Sequence, residues 1–286
     1  MSKVLKPLLE KLKAISGTTA TAQYISYLNF FRNVKFPVPR TTLIKSGKLF
    51  FRVRTHNASE ILFSNEDELS YRHDLFNITN FGRCNEPFQS VFYCSDNPIL
   101  SFSEVSSLTR KMEKRNFAFH TTSVWQIKED IVVSYILQDE KQPFGNDDLS
   151  AMTIEFDEVI NDPRLLGDKD DLRVFLDEIS QAFKKPFSSD PYVYLLSAAY
   201  FNYLMGITGE GGEKFDGFVY STCLGEPNLM NVGLNHTFRN EIVGFGKKIE
   251  CVDVYRSKLE LIEGEYFETE TVHCNKIDHS TSEVYW

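Results

Sequence analysis

The stretch FGRCNEPFQSVFYCSDNPILSFSEV, Phe81–Val105, contains a turn, a strand and a helix start within 25 residues. Gly82 and Pro87 punctuate the turn. SVFYCS is a short run of apolar and β-favouring residues, which predicts a strand. Asn97-Pro98 supplies a helix N-cap followed by a favourable first helical residue, so a helix is expected from about Pro98 to Lys114. An arginine (Arg83), a tyrosine (Tyr93) and a glutamate (Glu104) fall one on each of these elements. The question is whether these polar groups form a site or an ordinary α/β surface.

Outward from this stretch, strands and helices alternate irregularly. Upstream, GKLFFRVRTHN reads as a core strand, with Leu49, Phe50, Phe51 and Val53 as its apolar and β-favouring members. Before it, residues 1–45 read as helical. MSKVLKPLLEKLKAI places Val4, Leu5, Leu8, Leu9, Leu12 and Ile15 at helical spacing, and AQYISYLNFFRNV continues after a break at SGTTA. FPVPRTT is a loop, and Ser59 to Asn80 is polar and mixed. Downstream, SVWQIKEDIVVSYIL holds one or two strands and QDEKQPFGNDD is turn-rich. DDLRVFLDEISQAFKK sets Leu172, Phe175, Ile179 and Phe183 on one helical face, and PYVYLLSAAYFNYLMGI is a largely buried helix. FDGFVYSTC, LMNVGL, EIVGFG and ECVDVYRSKLELIEG read as strands, and the polar tail from about Glu265 as an appendage. Without a regular βαβ alternation a doubly wound parallel sheet is disfavoured, and the expectation is an α+β domain around a twisted mixed sheet with flanking helices.

Composition narrows the function classes. The chain has 286 residues, 42% of them hydrophobic and 14% aromatic, enough to build a core without metal or disulfide support. Its formal charge of −9 and the lack of a dense Lys/Arg stripe argue against nucleic acid. The densest basic cluster, Arg110 to Arg115, closes the expected helix, where cations complement the helix dipole. Five scattered cysteines without a CxxC pair favour reduced thiols and a cytoplasmic setting. The lysine-interrupted N-terminal segment is an amphipathic helix and not a secretory leader. No apolar run approaches the roughly 20 residues that cross a bilayer, so no membrane partner is expected.

Common catalytic motifs are absent: there is no phosphate-binding P-loop, no GxSxG elbow and no HExxH. GEGGEKFDG precedes a strand, whereas a phosphate loop follows a strand and opens a helix, so it reads as a turn. His273-Cys274 lacks partners at zinc spacing, and no metal is expected. Arg83 can aim a planar fork at phosphate or carboxylate, and Tyr93 can offer a ring face and a hydroxyl. Glu104, flanked by Phe102 and Val105, is a carboxylate close to an apolar face. Arg52 interrupts the apolar strand LFFRV, which means either solvent or an anion partner. Ser221 follows the apolar strand in FDGFVYST. The residues alone leave a binding site and a structural role both open.

Three blocks in order, GKLFFRVR, then GRCN with SVFYCSDNPILSFSEV, then FDGFVYST with NLMNVGL, resemble the RES domain, a family named for characteristic arginine, glutamate and serine residues. The resemblance spans roughly residues 46–260, leaving an N-terminal helical extension (1–45) and a polar tail (261–286). It implies a fold similar to ADP-ribosyltransferases and NAD as substrate, cleaved at the nicotinamide–ribose bond by hydrolysis or phosphorolysis. Many members are NAD-depleting toxins paired with an antitoxin protein, and some relatives transfer ADP-ribose to a protein. By motif position, Arg52, Arg83, Tyr93, Glu104 and Ser221 would line the NAD pocket. Arg52 and Arg83 would grip the pyrophosphate, Tyr93 would stack, Ser221 would bond the nicotinamide end, and Glu104 would face the developing ribose cation. Asn85 and Asn231 match motif positions as holders of turns or of the ligand's edge. The chain departs from the family at Phe88, where a glycine is usual, which implies a different turn there. The extra N-terminal helix leaves a second reading, a catalytically silent binding module. Two placements are open to that segment, over a core edge or at a homodimer surface, and the core edge is the expected one.

Overall fold

The computed structural model describes residues 10–34, 41–56, 62–105, 116–135, 160–161, 169–185, 190–207, 214–221, 230–235, 248–263 and 265–286. In chain order the elements are helix α1 (Ala20–Val34), strands β1 (Thr41–Ile44) and β2 (Leu49–His56), and the short helix α2 (Glu66–Leu69). Strand β3 (Val91–Ser95), helix α3 (Pro98–Val105), and strands β4 (Phe117–Ile127) and β5 (Ile131–Tyr135) follow. Helices α4 (Lys169–Lys184) and α5 (Leu195–Met205) then precede β6 (Gly217–Ser221), β7 (Met230–Asn235), β8 (Ile249–Ile262), β9 (Glu265–His273), β10 (Lys276–Asp278) and β11 (Glu283–Tyr285). The class is α+β, as expected. The basic cluster at 110–115, the turn-rich stretches QDEKQPFGNDD and GEGG, and EIVGFG lie outside the described residues.

The chain divides into two compact units. The first comprises Met1–Thr42, Leu75–Gln89 and Val132–Asn228. Here α4 carries its apolar residues at helical spacing, and Leu172, Phe175, Leu176, Ile179 and Phe183 are all buried. Helix α5 is apolar on almost every side and is buried nearly throughout, as a helix without a polar face must be. Strands β5 and β6 run parallel, with Ser134 opposite Phe218, and both are buried, which suits parallel pairs. The N-terminal helix belongs to this core. Phe31 of α1 is 0% exposed and meets the rings of Tyr200 and Tyr203 at 5.2 and 5.8 Å. A polar bridge also ties it down: the Asn202 amide donates to Tyr24 Oη (3.1 Å) and to Gln89 Oε1 (3.0 Å).

The second unit comprises Leu43–Asp74, Ser90–Ile131 and Leu229–Trp286. Its strands lie in the order β7-β3-β2-β4-β8-β9, with antiparallel neighbours throughout. β2 pairs with β4 along its full length, from Leu49 opposite Gln126 to His56 opposite Phe119. β2 and β3 share a single register pair, Phe51 with Ser95, and then part. The expected helix start is present, with the Asn97 side chain accepting from the Ile99 N–H at 2.8 Å. The polar tail is not an appendage. It forms β9 against β8 and the hairpin β10–β11, whose Val284 side chain is buried. Thr41–Ile44, read as helix end and loop, is a strand. Among the described residues no helix is long and apolar enough to cross a membrane.

Candidate functional site

The seven candidate residues divide between the units: Arg83, Asn85 and Ser221 in the first, Arg52, Tyr93, Glu104 and Asn231 in the second. In the first unit, Arg83 Nε donates to the Phe183 carbonyl and an Nη to the Lys185 carbonyl, both at 2.9 Å, while the guanidinium lies 5.4 Å from the Tyr194 ring centre. The fork thus sits at the C-terminal end of α4. Asn85 holds its own turn: its amide donates to the Asn80 and Glu86 carbonyls, and its carbonyl accepts from Gly82 N–H at 3.0 Å. Phe88 has φ of 67°, the left-handed region that favours glycine, and is 57% exposed. Ser221 is the last residue of β6; its side chain lies outside the described residues.

In the second unit, strand alternation decides which side chains meet. Arg52, Arg54 and His56 share one face of β2, together with their partners on β4, Ser123, Thr121 and Phe119. Phe51, Val53 and Thr55 share the other face with Val124, Thr122 and His120. Helix α3 packs on this second face, where Phe102 meets the His120 ring edge-on at 4.9 Å. Tyr93 shares that face as well, being two residues from Ser95, the partner of Phe51. The structure therefore brings Tyr93 and the half-buried Glu104 to one side of the sheet and sets Arg52 on the other. The two sides meet at the parting of β2 and β3, where Arg52 Nη1 donates to the Tyr93 carbonyl at 3.0 Å. Asn231 stands on β7 in register with Ser95, and its side chain lies outside the described residues.

The arginine face is the most unusual electrostatic feature of this unit. Arg52 lies 5.0 Å from the Phe92 ring centre and Arg54 6.0 Å from that of Phe63. An Nη of Arg54 donates to the Ser70 carbonyl at 2.9 Å. The Nε atoms of both arginines are buried without a hydrogen-bond partner. Burial, and then the neighbouring Arg54 charge, pulls Arg52 down to about 9. Arg54 is lowered by burial and then by Arg72, against which Asp74 and Glu68 act. Asp74 is itself held by the Arg72 fork at 2.9 and 2.6 Å. Among the described residues no carboxylate forms an ion pair with Arg52 or Arg54. Two like charges with buried, unmet donors are costly unless an anion completes them. Sequence reading singles out Arg52 alone. The two-residue spacing to Arg54 is the signal that places both on one face.

Beneath α3 lies a second cluster that the sequence does not announce. His120 is 0% exposed, neither ring nitrogen makes a hydrogen bond, and burial pulls it down to about 4. It is a neutral imidazole held between strands, opposite Ser257 in the β4–β8 register. Among the described residues no group of three or more His, Cys, Asp and Glu side chains is placed to hold a metal ion.

No family model, curated protein or solved structure matches the chain.

Proposed function

We propose that this protein is an NAD-consuming enzyme that cleaves the nicotinamide–ribose bond, on a fold similar to ADP-ribosyltransferases. The observation that carries the reading is the Arg52–Arg54 pair, with both Nε donors buried and unmet beside the parting of β2 and β3. A pyrophosphate supplies the two negative charges and multiple acceptor oxygens that such a pair calls for. In an acidic protein, this local positive charge also attracts a dinucleotide anion.

The chemistry follows from that anchor. With the pyrophosphate held at Arg52 and Arg54, the nicotinamide riboside passes the parting toward the face that carries Tyr93 and Glu104. The C1′–N bond breaks with its electron pair leaving on nicotinamide, and the ribose gains oxocarbenium character. The Glu104 carboxylate stabilises that cation more than the ground state, while an oxygen of phosphate, or of water that gives up a proton to solvent, bonds to C1′. In a cytoplasmic setting such turnover would deplete NAD, the role of a toxin held in check by a partner protein.

The test is a time course of NAD with the purified protein, with and without phosphate, identifying the ADP-ribose product by mass. Nicotinamide release is expected. Glu104→Ala should reduce kcat by at least about 100-fold, and Arg52→Ala should raise KM by about 10–100-fold. Release unaffected by Glu104→Ala would remove that residue from the chemistry. Absence of release together with label transferred from NAD to a cellular protein would assign the ADP-ribosyltransferase activity instead. Absence of both, with no nucleotide binding, would overturn the proposal in favour of a silent binding module.

A further inference from the structure

The roof over the arginine face is built from residues that the C terminus holds in place. Phe63 lies over Arg54, and its ring meets His56 edge-on at 6.3 Å. Ser70 accepts from Arg54 through its carbonyl. Both residues belong to the segment around α2. The backbone bonds of that segment run to the C-terminal hairpin: Val284 N–H donates to the Ser64 carbonyl at 2.8 Å, and Glu66 N–H to the Ser282 carbonyl at 2.7 Å. Asn65 and Glu283 form a bridge. The last residue, Trp286, donates its indole N–H to the Phe63 carbonyl at 2.7 Å. The hairpin is pinned beneath by Val284, which is buried, and by His279, whose Nδ1 lies 3.4 Å from Oε2 of the fully buried Glu66.

These contacts share one direction. The hairpin stands outside the large sheet, since β10 and β11 form a two-stranded sheet of their own, yet it satisfies the backbone of the segment that covers Arg54. A hairpin of two three-residue strands, held by buried Val284 and a few hydrogen bonds, opens at a lower free energy than the whole unit. When it opens, Phe63 and Ser70 lose their anchor together.

We infer that the C-terminal hairpin, Lys276 to Trp286, is a latch on the Arg52–Arg54 face: docked, it closes the roof over the arginines, and released, it admits an anion such as pyrophosphate. The inference rests on the reading of these arginines as an anion seat, but the latch itself can be measured without any ligand.

The experiment compares the full chain with Trp286→Phe, which keeps the ring and removes the donor, and with a chain ended after Asn275. Amide exchange is followed in Leu62 to Tyr71, and phenylglyoxal modification of Arg52 and Arg54 is followed by peptide mass. Exposed Arg72 reports reagent strength, and exchange in β8 reports the fold of the unit. Truncation should raise exchange in Leu62 to Tyr71 and modification of Arg54 by at least about tenfold. Trp286→Phe should raise both by about fivefold, as the loss of one hydrogen bond predicts, with β8 unchanged. If truncation also loosens β8, the single substitution decides. Unchanged exchange and unchanged Arg54 modification in Trp286→Phe would overturn the latch. Inorganic pyrophosphate separates the two readings: it should protect both arginines better in the truncated chain. Protection in neither form would overturn the anion seat, while the exchange rates still decide the latch.

Discussion

Arg83 and Phe88 lie in the same turn and illustrate two ways in which a single residue meets its backbone. The last carbonyls of a helix lack intrahelical donors, and the negative end of the helix dipole favours a cation there. Arg83 answers both needs at the end of α4, with Nε on the Phe183 carbonyl and Nη on that of Lys185. Arg83→Ala should therefore lower the unfolding free energy by about 2 kcal/mol, read from denaturant melts, and Arg83→Lys should recover only part of it because it lacks the fork. A variant that weakened NAD binding while melting like the parent would instead return Arg83 to ligand contact. Phe88 holds a left-handed backbone conformation that costs a side chain about 1–2 kcal/mol.

At the scale of elements, legibility tracked apolar periodicity. Leu172, Phe175, Ile179 and Phe183 repeat at helical spacing, and the helix buries that stripe. β2 and β3 were legible because Phe50, Val53, Val91 and Phe92 are aromatic or β-branched and buried. β9 was not, because EYFETETVH carries alternating polar residues, and Phe267 to His273 are mostly exposed. Its order comes from backbone pairing with β8, from Tyr255 opposite His273 to Ile262 opposite Glu265, which side-chain pattern does not encode. Of the two placements open to the N-terminal aromatic helix, the structure takes the core. Phe31→Ala, removing a ring with 0% exposure, should cost about 3–5 kcal/mol in equilibrium unfolding. An effect below 1 kcal/mol, roughly that of a surface site, would mean that α1 does not belong to this core.

At the scale of the whole molecule, the burial of His120 ties stability to pH. Its folded-state value, about 4, lies below the ordinary 6.5 because burial disfavours the charged ring. Below 6.5 the unfolded chain takes up a proton that the folded chain refuses, so the contribution is complete above pH 6.5 and is lost as pH falls toward 4. That loss amounts to about 3 kcal/mol. His120→Leu should remove this part of the slope, visible as a smaller drop in stability between pH 7 and pH 4 than in the parent chain. Equal slopes would show that His120 is protonated in the folded state.

By itself the sequence determined the α+β class, the course of β2, β3, α4 and α5, and the candidate residues Arg52, Arg83, Tyr93 and Glu104. Local spacing and turn chemistry carry that information. Only the tertiary structure decided which of them meet. Local alternation already pairs Arg52 with Arg54 on one face, but register is a relation between strands far apart in the chain, and it set Tyr93 with helix α3 on the opposite side. Long-range packing likewise committed Arg83 to the end of α4, buried His120 as a neutral ring, and folded the polar C-terminal residues back onto the segment that carries Phe63. None of these partners lies near its counterpart in the sequence, and no local pattern could have named them.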